Sequence, residues 1–173
     1  LAYSEFPPAR GKWRIGPGGR KIYRMGPTDL PGGGMALELG SLKKAVGSLE
    51  RAIKVASSQI KGGAGTDHAE VIRAGVIQNF EITYELCWKF MKRWLELNAE
   101  GARVDGATRK ELFRMAAESR LIADMEKWFK YNSARNDTAH TYDSAKAEEI
   151  YGIARSFAAD ARGFLQTLQR RND

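Results

Sequence analysis

All five prolines of this chain lie within its first 34 residues, the last of them Pro31. Proline fixes φ and lacks the amide hydrogen that a helix interior or a central strand needs, so the chain divides into two stretches with different folding options. Residues 1–34 also hold eight of the eighteen glycines. Runs such as Gly16-Pro17-Gly18-Gly19 and Pro31-Gly32-Gly33-Gly34 sustain neither helix nor central strand. This stretch reads as an irregular, basic leader, and whether it belongs natively to the rest is left open. Trp13, Ile15, Ile22 and Tyr23 are its candidates for pinning to a surface. The reading places no strand before Gly16 and no helix after Gly19, which excludes a phosphate-binding loop there.

From Met35 onward apolar residues recur at helical spacing. Leu42, Ala45/Val46, Leu49, Ile53, Ala56 and Ile60 form one stripe and predict a helix over 41–60, with Ser41 as N-cap and Gly62-Gly63 as the stop. A second, longer helix is predicted over 67–97. Tyr84 and Trp88 widen its apolar set beyond one stripe, so it is expected to be the central helix or one shared with a second subunit. On its polar side Glu81 and Glu85 stand one turn apart. They read as a solvated or salt-bridged face, with Glu85 in the supportive order for Lys89, ahead of metal binding or acid–base work. Further helices are predicted over 108–120, from Asp124 through Trp128, Phe129 and Tyr131, and from Asp143 or Ser144 to about residue 169. The fold class expected is all-α: an antiparallel bundle of about five helices over 35–173.

Charge and cysteine usage narrow the function classes less than they first suggest. The formal net charge is +7, but residues 1–34 carry six Lys/Arg against two acids and the remainder 22 against 19. The helical part is thus mildly basic, and the sum alone does not establish nucleic-acid binding. No apolar run approaches the roughly 20 residues of a membrane span, and no secretory signal is evident. The single cysteine, Cys87, sits in a helical apolar pattern and reads as a buried, inert thiol. Together these point to a cytoplasmic protein.

Of the two histidines, His68 opens the second helix, where a solvated or capping role is expected. His140 lies in the break between the fourth and fifth helices, within Arg135-Asn136-Asp137-Thr138-Ala139-His140-Thr141-Tyr142. Helix junctions expose side chains and unpaired amides. Cleaving RNA without a metal needs a base for the 2′-hydroxyl, an acid for the departing 5′-oxygen and positive charge beside the phosphorane. Histidine serves either proton role near neutrality, each worth about 10²–10⁴ in rate. Arginine offers a planar fork for two phosphate oxygens. Asn136 and Thr138 are candidate supporting groups, and Tyr142 a candidate nucleotide contact. One histidine supplies one proton function at a time, which favours a homodimer with Arg135 and His140 of each protomer at a shared cleft. The same residues also fit a structural role, with His140 capping the fifth helix, Arg135 paired to Asp137 or Asp143, and Tyr142 packing.

The spacing Arg135, four residues, His140, one residue, Tyr142 resembles the HEPN superfamily of small helical bundles, in the variant found in toxins encoded beside a minimal nucleotidyltransferase. The string Ile77-Gln78-Asn79-Phe80-Glu81-Ile82-Thr83-Tyr84-Glu85-Leu86-Cys87-Trp88-Lys89 is similar to nucleotidyltransferase substrate-binding proteins. The likeness covers about residues 37–168. It implies a metal-independent endoribonuclease without cofactor, with Arg135 and His140 in the active site and Asn136 in support. It also implies a homodimer bound by a nucleotidyltransferase antitoxin, which adds AMP to Tyr142. The alternative it implies is a non-catalytic nucleotide- or substrate-binding subunit of a nucleotidyltransferase complex.

Overall fold

The computed structural model describes residues 13–15, 21–23, 36–60, 66–98 and 104–172. The chain divides into two units, Leu1–Met35 and Ala36–Asp173. In the first, strands β1 (Trp13–Ile15) and β2 (Lys21–Tyr23) pair antiparallel, Trp13 opposite Tyr23 and Arg14 opposite Ile22. The expectation of an irregular leader did not include this ladder. Gly16 therefore follows a strand, and the next described element is a second strand instead of the helix a phosphate-binding loop would open.

The second unit is an all-α bundle. Among the described residues its helices are α1 (Gly40–Gln59), α2 (Asp67–Asn98), α3 (Arg109–Glu118), α4 (Met125–Asp137) and α5 (Ser144–Arg170). A 3-10 turn over Thr138–His140 joins α4 to the approach of α5. The boundaries follow local chemistry. Thr108 and Glu111 form a reciprocal capping box at the start of α3, the arrangement that satisfies two orphan amides at once. Asp124 caps α4 by accepting from the Lys127 amide, and Asp143 caps α5 by accepting from those of Ala145 and Lys146. Beyond α3, the Leu121 amide donates to the Ala116 carbonyl and that of Arg120 to Ala117, with Arg120 at φ 55°. That is a Schellman ending, with arginine at the left-handed position glycine usually takes.

One cap differs from expectation. Ser41 lies inside α1, and the Gly40 amide donates to the Glu38 carboxylate at 3.1 Å. The expected Gly62-Gly63 stop falls outside the described residues. The ends of the bundle are tied together by Asn172. Its side chain accepts from the Leu37 amide at 2.5 Å and donates to the Leu37 carbonyl at 2.9 Å.

Helix α2 is central, packing against α1, α3, α4 and α5. The core is aromatic where α2, α4 and α5 meet. Phe157 is fully buried and forms edge-on contacts with Phe80 at 5.2 Å, Tyr131 at 5.0 Å and Trp128 at 5.8 Å between ring centroids. Such offset pairs add to the area term. The Tyr131 hydroxyl donates to Asp160, and burial together with that carboxylate pushes its phenol well above the usual range. Cys87 is fully buried and its thiol is pushed up by desolvation, which keeps it inert. Tyr84 is buried and Trp88 packs edge-on against Phe113 at 6.2 Å. The apolar width that Tyr84 and Trp88 add to α2 is thus used within this chain, while Val71, Ile82 and Leu97 of the same helix stay exposed. Among the described residues no helix is long and apolar enough to cross a membrane.

Candidate functional site

The last turn of α4, the 3-10 turn and the start of α5 form one corner of the bundle, set against the polar side of α2. Residues three and four apart on a helix share a face. Glu81, Tyr84, Glu85 and Trp88 accordingly project together toward α3 and α4. Arg135, in the last turn of α4, donates from Nε to Glu85 Oε1 at 2.7 Å. One turn back on α2, Glu81 faces Thr138. The Thr138 hydroxyl lies 2.5 Å from Glu81 Oε1 and 2.8 Å from the Arg135 carbonyl, with one proton to share between them. Successive carboxylates of α2 therefore hold the end of α4 at two points. Glu85 turns to arginine and not to Lys89.

The pairings weighed for a purely structural Arg135 are not formed. Asp137 instead meets Lys146 at 3.4 Å, and Asp143 caps α5. Nor does His140 close over the fifth helix as its cap. It sits exposed at the end of the 3-10 turn, and Asn136 is exposed beside it. Tyr142 is 87% exposed and stands edge-on to the His140 ring, centroids 6.1 Å apart. Thr141 is half-buried and donates to the Thr138 carbonyl at 3.0 Å. The corner thus separates its groups. Arg135 and Thr138 are anchored on α2, whereas Asn136, His140 and Tyr142 face solvent. His68, the other histidine, lies exposed in the first turn of α2.

Two side chains absent from the sequence reading, Arg109 and Asn132, complete the arrangement. Arg109, from the first turn of α3, approaches Glu85 Oε2 at 3.8 Å, so one carboxylate lies between two guanidiniums. Arg109 also donates to the Tyr84 hydroxyl at 3.1 Å, and that hydroxyl donates to Asn132 Oδ1 at 2.8 Å. The Arg109 guanidinium lies 4.6 Å from the centroid of the Trp88 ring, a stacked cation–π position that stiffens a side chain otherwise free to rotate. Burial raises the Tyr84 phenol above its ordinary value, while Arg109 pulls the other way. This keeps the hydroxyl protonated and donating. The sequence marked only the α2 side of this network, through the Glu81/Glu85 spacing and the extra apolar width of Tyr84 and Trp88. Arg109 and Asn132 are brought in from positions 25 and 48 residues away from Tyr84.

Known proteins similar to this chain carry two functional descriptions. The family model for "Nucleotidyltransferase substrate binding protein like" matches residues 37–170. A Haemophilus influenzae protein named "Probable ribonuclease HepT" is 40% identical over 104 residues, spanning 60% of this chain and 71% of that protein. A solved Haemophilus influenzae structure, presented as revealing the fold of a substrate binding domain of a nucleotidyltransferase, superposes with a TM-score of 0.71 at 34% identity. It covers 76% of this chain and 99% of its own. A crystal structure from Thermus thermophilus gives 0.60 at 27% identity, covering 75% of this chain and 99% of that one.

Proposed function

This chain belongs to the nucleotidyltransferase substrate binding protein like family, and from that premise we propose that it is the toxin-like, metal-independent endoribonuclease of a nucleotidyltransferase-linked pair, working in the cytoplasm. The observation that carries this reading is the corner itself. An accessible imidazole, His140, stands five residues from an arginine whose direction is set by Glu85. A buttressed guanidinium loses less freedom when a phosphate arrives. His140 acts as base or acid while the 2′-hydroxyl oxygen bonds to phosphorus and the 5′-oxygen leaves with a proton. The products are a 2′,3′-cyclic phosphate and a 5′-hydroxyl. One imidazole performs one of these transfers, so a second copy of the chain brings the other, with Arg135 and His140 of both protomers around one phosphate. Asn136 and Thr138 support the site. The similarity to a protein named as a probable ribonuclease agrees with this assignment.

The nucleotidyltransferase partner acts at Tyr142. Its exposed hydroxyl attacks the α-phosphorus of ATP, pyrophosphate leaves, and AMP stays on the ring. The added negative charge, two residues from His140, repels an RNA phosphate.

A second reading also has support: a non-catalytic subunit that binds substrate for the nucleotidyltransferase. Glu85 offsets part of the charge of Arg135, and two of the compared descriptions speak of substrate binding. Expressing the full chain and its His140→Ala form separates the two. The nuclease reading expects wild-type protein to leave RNA ends with 2′,3′-cyclic phosphate, and the variant to be about 10²–10⁴ slower with its melting unchanged. If both proteins are equally inert on RNA, the binding-subunit reading stands.

A further inference from the structure

Beside the corner, a groove of about 460 Å³ runs between α3 and α4. Its lining includes Arg109, Lys110 and Arg114 from α3, with Phe129 and Asn132 from α4. One acid, Glu126, also lines it, so its balance is positive. Lys110 and Arg114 are exposed, and Phe129 is half-buried, packed against Phe113 with part of its ring at the groove. Arg109 and Asn132 belong to the network that ends on Glu85 and Arg135. The groove is therefore continuous with the corner through shared side chains.

We infer that this groove is a track for single-stranded RNA leading away from the reacting phosphate. The inference rests on the nuclease reading for its direction, but its chemistry is independent of it. Arg109 and Arg135 sit on opposite oxygens of one carboxylate. They offer two fixed cations to neighbouring phosphates, Arg135 at the scissile one and Arg109 at the next. Lys110 and Arg114 continue the cationic line along α3. Phe129 supplies a face for an unstacked base, and Asn132 an amide for its edge. Cations that follow the backbone, combined with an aromatic platform, are how single strands are held without strict sequence preference. A continuous duplex buries its base faces in its own stack and cannot use Phe129.

The test uses the full chain carrying His140→Ala, so that RNA stays intact, and fluorescein-labelled oligouridine as probe. Lys110→Glu/Arg114→Glu is compared with Lys43→Glu/Lys44→Glu, which makes the same change in net charge on α1, outside the groove lining. Loss of two phosphate contacts lowers the slope of log affinity against log salt by roughly 1.4, at about 0.7 per contact for single strands. The α3 variant is expected to bind at least about 10-fold more weakly near 0.1 M salt and to show that smaller slope. Phe129→Ala is expected to weaken oligouridine binding severalfold while leaving the salt slope unchanged. Equal losses for the α1 and α3 variants mean nonspecific attraction and overturn the inference. So does unaltered RNA binding with loss of nucleotidyltransferase binding, which makes the groove a protein-docking surface. Failure of the nuclease reading appears separately, as absence of cleavage by protein with His140 intact.

Discussion

Helix α4 begins and ends in different worlds. At its start, Trp128 and Tyr131 are buried and ringed by Phe113, Phe157 and Phe164. At its end, Arg135 is held from outside by a single carboxylate, and the 3-10 turn that follows contains no buried residue. The difference teaches where each kind of change should be felt. Stability is stored where rings interlock, since a removed side chain leaves a void that close-packed neighbours fill only partly. The corner proposed as the site lies instead where side chains meet solvent and the backbone is already fixed by other means. The corner can therefore be altered chemically without endangering the fold, and the core cannot.

The sharpest way to break this contrast is Phe157→Ala. It empties the hub of the aromatic cluster and should cost about 3–5 kcal/mol of unfolding free energy. Denaturant titration measures it, against a change within about 0.5 kcal/mol for His140→Ala. Comparable losses in the two variants would mean that the corner is structural after all. Tyr84→Phe sharpens the comparison, because its ring belongs to the core and its hydroxyl to the corner. Removing the hydroxyl takes a donor from Asn132 and an acceptor from Arg109. The expected loss is about 1 kcal/mol, together with weaker RNA binding as Arg109 loses one of its supports. A purely structural hydroxyl would lower the melting temperature alone.

A smaller effect is expected at the start of α3. Thr108→Ala removes the side-chain half of the capping box and should cost about 1 kcal/mol. The Thr108 amide, then its hydroxyl, hold the Glu111 carboxyl below its ordinary range. A carboxyl with a lowered folded pKa stabilises fully above its unfolded value, and that contribution disappears as pH falls through the folded one. Melting curves of wild type and Glu111→Gln should therefore converge on acidification below the usual carboxylate range, and do so less clearly in high salt. A constant gap would mean that this carboxylate does not sense the cap.

Much of the fold could be read directly from the sequence. The disappearance of proline after Pro31 and the stripes through Leu42, Leu49 and Ala56, or Ile150, Phe157 and Phe164, announce helices that must bury one side. Thr108, Asp124 and Asp143 mark the starts of three of them, because a cap is a contact between residues two or three apart. Ser41 misled because the helix starts one residue before it, at Gly40, whose amide donates to the Glu38 carboxylate. The candidate corner was visible as a string of polar residues at a helix break, but the partner of Arg135 was not. Asp137 and Asp143 were nearer in sequence, whereas Glu85 lies 50 residues away.

What the sequence by itself determined is which residues are apolar, at what period, and where a helix can start or stop. These are short-range properties set by sterics and local hydrogen bonds. Only the tertiary structure decided that Glu85 stands between Arg109 and Arg135, that Trp88 lies beneath a guanidinium, and that His140 and Tyr142 stay in solvent. Such pairings depend on how long helices settle against one another. Charges find their partners after burial of the apolar stripes has fixed the spacing.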